Sequence, residues 1–220
     1  MARIFIVGCS GHAAVVLDII EKQGAHSVAG IIDSNAEPGT GVLGLKVLGT
    51  ECDLPRLAEE YQAAAGVVAI GDNFMRHTVV ENIRSAMPGF AFVTAVHPSA
   101  QIARGVSVGA GTVVMAGAVI NARSRVEEHC IVNTNSSIDH DNVIGRFGSI
   151  GPGAATGGNV RMGEFSALSL RAAVIHGRAI GVHTVIGAGA TVVKDIPDYV
   201  VAYGTPARVV RPRRAGERYL

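Results

Sequence analysis

Two hydrophobic rhythms divide the chain. The first alternates short apolar runs with amphipathic stretches. Arg3–Gly8 (RIFIVG) reads as a buried strand and Gly8–Gly11 as a turn. His12–Gln23 sets Val15, Val16, Ile19 and Ile20 on one helical face. Ser27–Asp33 predicts a second strand, Asp53–Gln62 a short helix and Gly66–Gly71 a third strand. Asn73–Met87 predicts a helix capped by Asp72 or Asn73, and Phe90–His97 a last strand. Strands alternating with helices imply parallel βαβ units covered on both faces. Residues 1–97 are therefore expected to form a small parallel-sheet, Rossmann-like α/β domain.

The second rhythm has a period of six. From Ile102, every sixth residue is Val108, Val114, Ile120, Val126, Val132, Ile138, Ile144, Ile150, Thr156, Met162, Leu168, Val174, Ile180, Ile186 and Val192. Thr156 alone is not a large aliphatic residue, and the register never slips. The fourth residue after each is mostly small, as at Thr112, Ala118, Ser136, Ala154 and Ser166. Neither the helical nor the strand period yields a strict six. Such a repeat marks a parallel β-helix, with the aliphatic residue in a narrow core and the small one at a corner. With three repeats per triangular coil, residue i lies over residue i+18, about 4.8 Å away. Residues 98–207 are expected to form this β-helix and 208–220 a basic C-terminal tail.

Composition narrows the setting. Of 220 residues, 48% are hydrophobic and 17% charged, which excludes general disorder. With 28 glycines and no tryptophan, the core is built from small and β-branched side chains. A net charge of +1 gives no electrostatic reason for a nucleic-acid partner. The apolar runs fall short of the roughly 20 residues of a membrane span. The opening MARIFIVG enters a strand pattern at once, without a signal-peptide cleavage site. Cys9, Cys52 and Cys130 are far apart and form no CxxC, so a cytoplasmic protein with reduced thiols and no metal site is expected.

The register turns sequence into geometry. His140 falls two residues after the core Ile138, on the outside of its coil. The next coil puts Gly158 beside it, and the one after that His176. A glycine beside a surface histidine leaves a gap in which a slender ligand meets backbone N–H groups. Asp139 and Asp141 flank His140, and either can hold the proton of one ring nitrogen so that the other acts as a base. An ordinary exposed histidine on a solvated turn is the competing reading. Near the start, Gly8-Cys9-Ser10-Gly11-His12 joins the first strand to the first helix, and Asp33 ends the second strand. Such a turn can hold a pyrophosphate, with the acidic residue on a ribose or base. Ser10 and Ala13 stand where the dinucleotide fingerprint has glycines, so a nucleotide-diphosphate handle fits better than a redox cofactor. A tight turn without a ligand is the alternative.

The motifs GCSGH, IGDNFMR, NTNSSIDHDNVIG, PGAATGGNV, VIGAGATVVKDIP and GTPAR, with the six-residue array, resemble the hexapeptide-repeat sugar acyltransferases. The similarity is to the bacillosamine-type and perosamine-type nucleotide-sugar N-acetyltransferases and the sialic acid O-acetyltransferases, from Gly8 to about Arg208. It implies a left-handed parallel β-helix, a homotrimer, and acetyl-CoA as co-substrate in the groove between adjacent subunits. It implies that His140 is the general base and Asp141 its acidic companion. Asn133 falls at a sugar contact, Gly158 at an acetyl-CoA backbone contact, and Ala188 and Lys194 near the rest of that cofactor. Gly11, His12, Asp33, Asp72 and Asn73 fall where the nucleotide sugar is held. Two departures stand out: relatives often have His at the place of Gly148, and Leu168-Ser169 replaces a common Ile-Gly pair. The implied reaction is metal-free N-acetylation of the 4-amino group of a GDP- or UDP-linked 4-amino-4,6-dideoxyhexose, in surface polysaccharide or glycan synthesis. No covalent enzyme intermediate is required, which leaves Cys130 a packing residue. O-acetylation at the same site, or a non-catalytic β-helix that binds a sugar nucleotide, are the alternatives. Arg208, Arg211, Arg213 and Arg214 read either as contacts to CoA phosphates or as a solvated tail.

Overall fold

The computed structural model describes residues 1–37 and 39–219. Its first part runs β1 (Ala2–Val7), α1 (Gly11–Gln23), β2 (His26–Ile32), β3 (Gly41–Val42), β4 (Leu45–Gly49), α2 (Leu54–Tyr61), β5 (Ala65–Val68), α3 (Asn73–Ala86) and β6 (Ala91–Phe92). The strands join in the order β3-β4-β2-β1-β5-β6. All neighbours are parallel except the β3–β4 hairpin, which the alternating pattern did not predict because β3 is only two residues long. Gly8 has φ +111°, and a Cβ there would lie 2.9 Å from the Ala69 carbonyl oxygen, so only glycine carries β1 into α1. On α1 the residues facing the sheet are Ala13, Val16, Leu17 and Ile20, a stripe spaced i, i+3, i+4, i+7. Val15, expected on that stripe, is one helical step off it and points to solvent.

The second part is a left-handed parallel β-helix of two-residue strands on three faces. Val113–Val114 pairs with Ile131–Val132, Val119–Ile120 with Ser137–Ile138, and Arg125–Val126 with Val143–Ile144. Each pairing is residue i with residue i+18. From Val114 to Val192 every sixth residue is buried, Thr156 included, whereas Ile102 lies at the open end of its face. The last coil is two residues short, with Val185 paired to Val201. The strand expected over Phe90–His97 is split. Val93 N–H still donates to Gly66 of the α/β sheet, but Ala95 N–H donates to Thr112 of the β-helix. The domain boundary therefore lies between Phe92 and Ala95, ahead of residue 97.

The expected tail is also folded. Arg208–Pro212 pairs antiparallel with Val200–Tyr203, and Arg213 is buried with its Nη1 donating to the His183 carbonyl at 2.9 Å. Arg213 thus serves the fold and is part of no solvated surface.

The two domains meet along one corner of the β-helix. There the third residue after each core position takes a left-handed conformation: His129, Phe147, Phe165, His183 and Tyr199 have φ between 51° and 57°. That conformation costs an L-residue about 1–2 kcal/mol. The rings offset it by stacking, with successive centroids 5.0, 5.2, 4.6 and 5.0 Å apart. From α3, His77 meets Phe147 and Phe165 edge-on. Beside this ladder Arg76 is fully buried. Its Nε donates to the His129 carbonyl at 2.8 Å and its Nη2 to the Phe147 carbonyl at 3.0 Å. Its Nη1 donates to Ile70 and Gly71 carbonyls at 2.7 and 2.9 Å, in the loop after β5. One guanidinium ties that loop to two successive coils.

Replacing Arg76 by Met leaves four carbonyl oxygens without their donor and should cost about 3–5 kcal/mol in denaturant unfolding, with Arg76→Lys losing less. A loss for the Met variant within about 1 kcal/mol of zero would show that the domains are held by other contacts. The histidines give a pH signature. Burial first, then the charges of Arg84, Arg76 and Arg146, pushes His129 down to about 3. Burial and then Arg76 pushes His12 to about 4. Both are neutral in the fold, while the unfolded chain protonates them near pH 6.5, so below that pH the unfolded state binds more protons. Stability should be full above about pH 6.5 and fall by about 1.4 kcal/mol per histidine for each unit below it. His129→Phe keeps the ring stack and should flatten this slope; an unaltered slope would contradict the assignment.

Candidate functional site

One edge of the β-helix carries the candidate base. His140 Nδ1 lies 2.6 Å from Asp141 Oδ2. Arg123, one coil below Asp141, donates to both of its carboxylate oxygens at 2.7 Å. These bonds from Arg123 first, and that from His140 second, hold the Asp141 carboxyl well below the usual carboxylate range. An ionised acceptor at Nδ1 selects the tautomer with the proton there and leaves Nε2 as the basic nitrogen. Asp139, the other flanking acid, instead accepts the His140 backbone N–H at 2.8 Å and Asn121 Nδ2 at 3.1 Å. Nε2 lies over Gly158, where a Cβ would come within 2.5 Å of it. The His176 ring follows at 6.2 Å, and exposed Lys194 takes the same place one coil further.

Asn142 fixes the turn that presents His140. Its Nδ2 donates to the carbonyls of Asp139, His140 and Gly157 at 2.6, 3.2 and 3.0 Å, and its Oδ1 accepts the Val160 N–H at 3.0 Å. It occupies the corner column where other repeats carry small residues. A buried amide in that column was the available signal, because such a group must be satisfied.

A cleft of about 560 Å³ lies between the α/β domain and a neighbouring face, lined by His12, Gly71, Asn133, Ser149, Leu168 and Ala188 among others. A second, of about 310 Å³, is lined by Gly8, Cys9, Ser10, Asp33, Asp72 and Arg218, and shares Gly71 with the first. Neutral His12 has its Nε2 buried without a partner. Asp33 Oδ2 accepts the Cys9 N–H at 2.6 Å, and its Oδ1 accepts from Asn35 and Ala36 at 2.7 and 3.1 Å. Asp72 Oδ1 caps α3 through Phe74 and Met75 N–H groups, while its Oδ2 is buried and unpartnered. Ser10 makes no side-chain cap on α1, whose first N–H groups have no helical acceptor. Gly11 opens α1 with free space around it.

Two expectations need correction. Asn73 faces neither cleft: its side chain is fully buried and Nδ2 donates to the Phe165 carbonyl at 2.5 Å, a second tie between domains. Gly148 marks no missing side chain at the site. A Cβ there would lie 2.8 Å from the Gly145 carbonyl oxygen and 2.9 Å from Met162 Cε, pointing into the coil. Its neighbour Ser149 is the residue that faces the cleft.

The structure groups the expected site residues in two places. His12, Asn133, Ala188, Asp33 and Asp72 line the clefts, whereas His140, Gly158 and Lys194 sit on the next edge of the prism. Asn133 and His140 are separated by one strand, Ser137–Ile138, and the turns on either side of it. His140 is among the lining residues of neither cleft. Arg76, Arg123, Asn142 and Ser149 escaped the sequence reading; Arg123, one coil before Asp141, and Asn142, in the corner column, were within reach of the register. Among the described residues no cluster of three or more His, Cys, Asp or Glu is placed to hold a metal ion, and no helix is long and apolar enough to cross a membrane.

Residues 3–83 match the PglD N-terminal domain family. PerB from Caulobacter crescentus, solved with CoA and GDP-perosamine, is 39% identical with a TM-score of 0.89, over 96% of this chain and 98% of that one. The acetyltransferase domain of PglB from Neisseria gonorrhoeae, solved with acetyl coenzyme A, is 34% identical with a TM-score of 0.85, over 94% and 98%. Acyl-[acyl-carrier-protein]–UDP-N-acetylglucosamine O-acyltransferase of Pseudomonas putida is 32% identical over 106 residues, 48% of this chain. The chain spans 39% of the length of that curated relative. Taken with the paired α/β and β-helix domains, the near full-length similarity to PerB and PglB shows that the chain belongs to the family of perosamine-type and bacillosamine-type nucleotide-sugar N-acetyltransferases.

Proposed function

We propose that the protein transfers the acetyl group of acetyl-CoA to the 4-amino group of a GDP- or UDP-linked 4-amino-4,6-dideoxyhexose, at sites shared between the subunits of a homotrimer. The observation that carries this reading is His140 held through Nδ1 by Asp141 at 2.6 Å, with Nε2 over the bare backbone of Gly158. A thioester chain can pass Gly158 because no side chain fills that place. The N–H groups of Gly157 and Asn159 are used in the coil ladder, while none of its bonds takes that of Gly158. That group is the natural donor to a developing oxyanion.

The chemistry needs few groups. The sugar amine attacks the thioester carbonyl carbon and a C–N bond forms. His140 Nε2 accepts the proton that the nitrogen sheds. As the tetrahedral species collapses, the C–S bond breaks and the imidazolium returns the proton to the departing thiolate. Cys130 takes no part: it is buried, its thiol is pushed up to about 12 by burial, and it donates to the Gly145 carbonyl at 3.1 Å. The α1 turn with Asp33 and Asp72 suits the nucleotide, and His12 with Asn133 suits the sugar. Separation of cleft and base on adjacent edges supports a second copy as the source of the base. Ala188 of one copy and Lys194 of its neighbour would then flank the same CoA.

The direct test is incubation with acetyl-CoA and UDP-, GDP- and dTDP-linked amino sugars, followed by mass spectrometry. Acetylation of the amine of one of them is expected; transfer only to hydroxyl groups, or to none, would contradict the reading. His140→Asn should lower kcat by about 10²–10⁴ with little change in sugar-nucleotide affinity. Near-normal turnover would remove His140 from the reaction. Gly158→Ala sets a methyl against Nε2 and should lower kcat and weaken CoA binding in calorimetry while sparing the nucleotide. Unchanged CoA affinity and turnover would place the thioester elsewhere.

A further inference from the structure

The segment after the last strand is held on both sides. Arg213 reaches the His183 carbonyl of the aromatic corner and the Glu217 carbonyl of its own segment. Its guanidinium carbon lies 5.5 Å from the Tyr219 ring centroid. Gly216, at φ +74°, packs on α3, where a Cβ would lie 3.0 Å from the Phe74 ring. The Tyr219 hydroxyl meets Ser149 Oγ at 3.4 Å, and Arg76 Nη2 lies 3.3 Å from the same oxygen. The strap is thus tied to the β-helix, to α3 and to the buried guanidinium that joins them.

This path places its last two described residues on the rim of both clefts. Arg218 lines the smaller one opposite Cys9 and Ser10, and Tyr219 lines the larger one with His12 and Asn133. The smaller cleft otherwise presents the carboxylates of Asp33 and Asp72. Both oxygens of Asp33 and Oδ1 of Asp72 accept backbone N–H groups. A diphosphate entering such a cleft meets like charge unless a cation faces it. Among the described residues lining this cleft, Arg218 is that cation, and its planar fork matches phosphate oxygens. The N-terminus of α1 adds a favourable dipole on the same wall.

We propose that residues 213–219 form a third wall of the sugar-nucleotide site, with Arg218 binding the diphosphate and the Tyr219 hydroxyl facing the sugar. The inference rests on the acetyltransferase reading above and assigns its preference for diphosphate-linked sugars to the strap. Calorimetry of the full chain with GDP, UDP and dTDP tests it. Arg218→Ala should weaken the preferred diphosphate about tenfold or more, with the acetyl-CoA KM and the melting temperature unchanged. Arg218→Lys should restore part of the loss, and the salt dependence of diphosphate binding should become shallower in Arg218→Ala. Tyr219→Phe should raise the sugar-nucleotide KM several-fold without altering diphosphate affinity. Wild-type affinity in Arg218→Ala, or parallel losses of CoA affinity and melting temperature, would overturn the inference while leaving the acetyltransferase reading in place. A wild-type protein that binds none of the three diphosphates would overturn both.

Discussion

The buried guanidinium of Arg76 is the contact on which the arrangement of the molecule depends. A fully desolvated cation is costly to bury, and this one has its donors matched to backbone carbonyls on both sides of the domain junction. It holds the loop after β5, whose Gly71 is shared by both clefts, against two coils of the β-helix. It also lowers the pKa of His12, after the larger effect of burial, so the imidazole that lines the larger cleft is neutral. The aromatic ladder beside it gives the junction its area, and Arg76 gives it a single registration.

A rigid junction has a consequence for catalysis. With the α/β domain bound to one corner of the prism through Arg76 and Asn73, its clefts and His140 occupy adjacent edges. His140 is equally fixed: Asp141 and Arg123 hold the ring, and Asn142 holds the turn. In the proposed reading, these two preformed half-sites are completed when a second copy supplies the missing half. Symmetric closure of such a contact gives a ring, and a three-sided prism with one half-site on each of two edges suits a ring of three.

Legibility in the sequence followed the range of the interactions. The β-helix was readable because its core is a strictly local repeat: Val114, Ile120 and Val126 announce coils whose partners lie at fixed sequence distance. The same register places Gly158 beside His140, as the fold does. The left-handed corners were less visible, because Phe147 and Phe165 pay for αL backbone with stacking that composition does not report. Arg76 and Asn73 were opaque for a different reason. Their acceptors across the domain junction are carbonyls of residues 53 to 92 positions away, and a carbonyl leaves no mark in the identity of the residue that carries it. Of the C-terminal arginines only Arg213 departs from the solvated reading, for the same cause: it is buried with a backbone carbonyl of the aromatic corner as its partner, while Arg208, Arg211 and Arg214 are exposed.

The claim that each active site is completed by two chains is open to one direct measurement. His140→Asn chains lack the base but keep the cleft; Ser10→Glu chains keep the base but carry a carboxylate at the diphosphate end of the cleft. Each homo-oligomer should be inactive. Refolded together in equal amounts, they should recover about a quarter of wild-type activity per site, because a base from one chain then meets a cleft from its neighbour in that share of contacts. No recovery above the two parents would mean that base and cleft act within one chain, and the account of a shared site would fail.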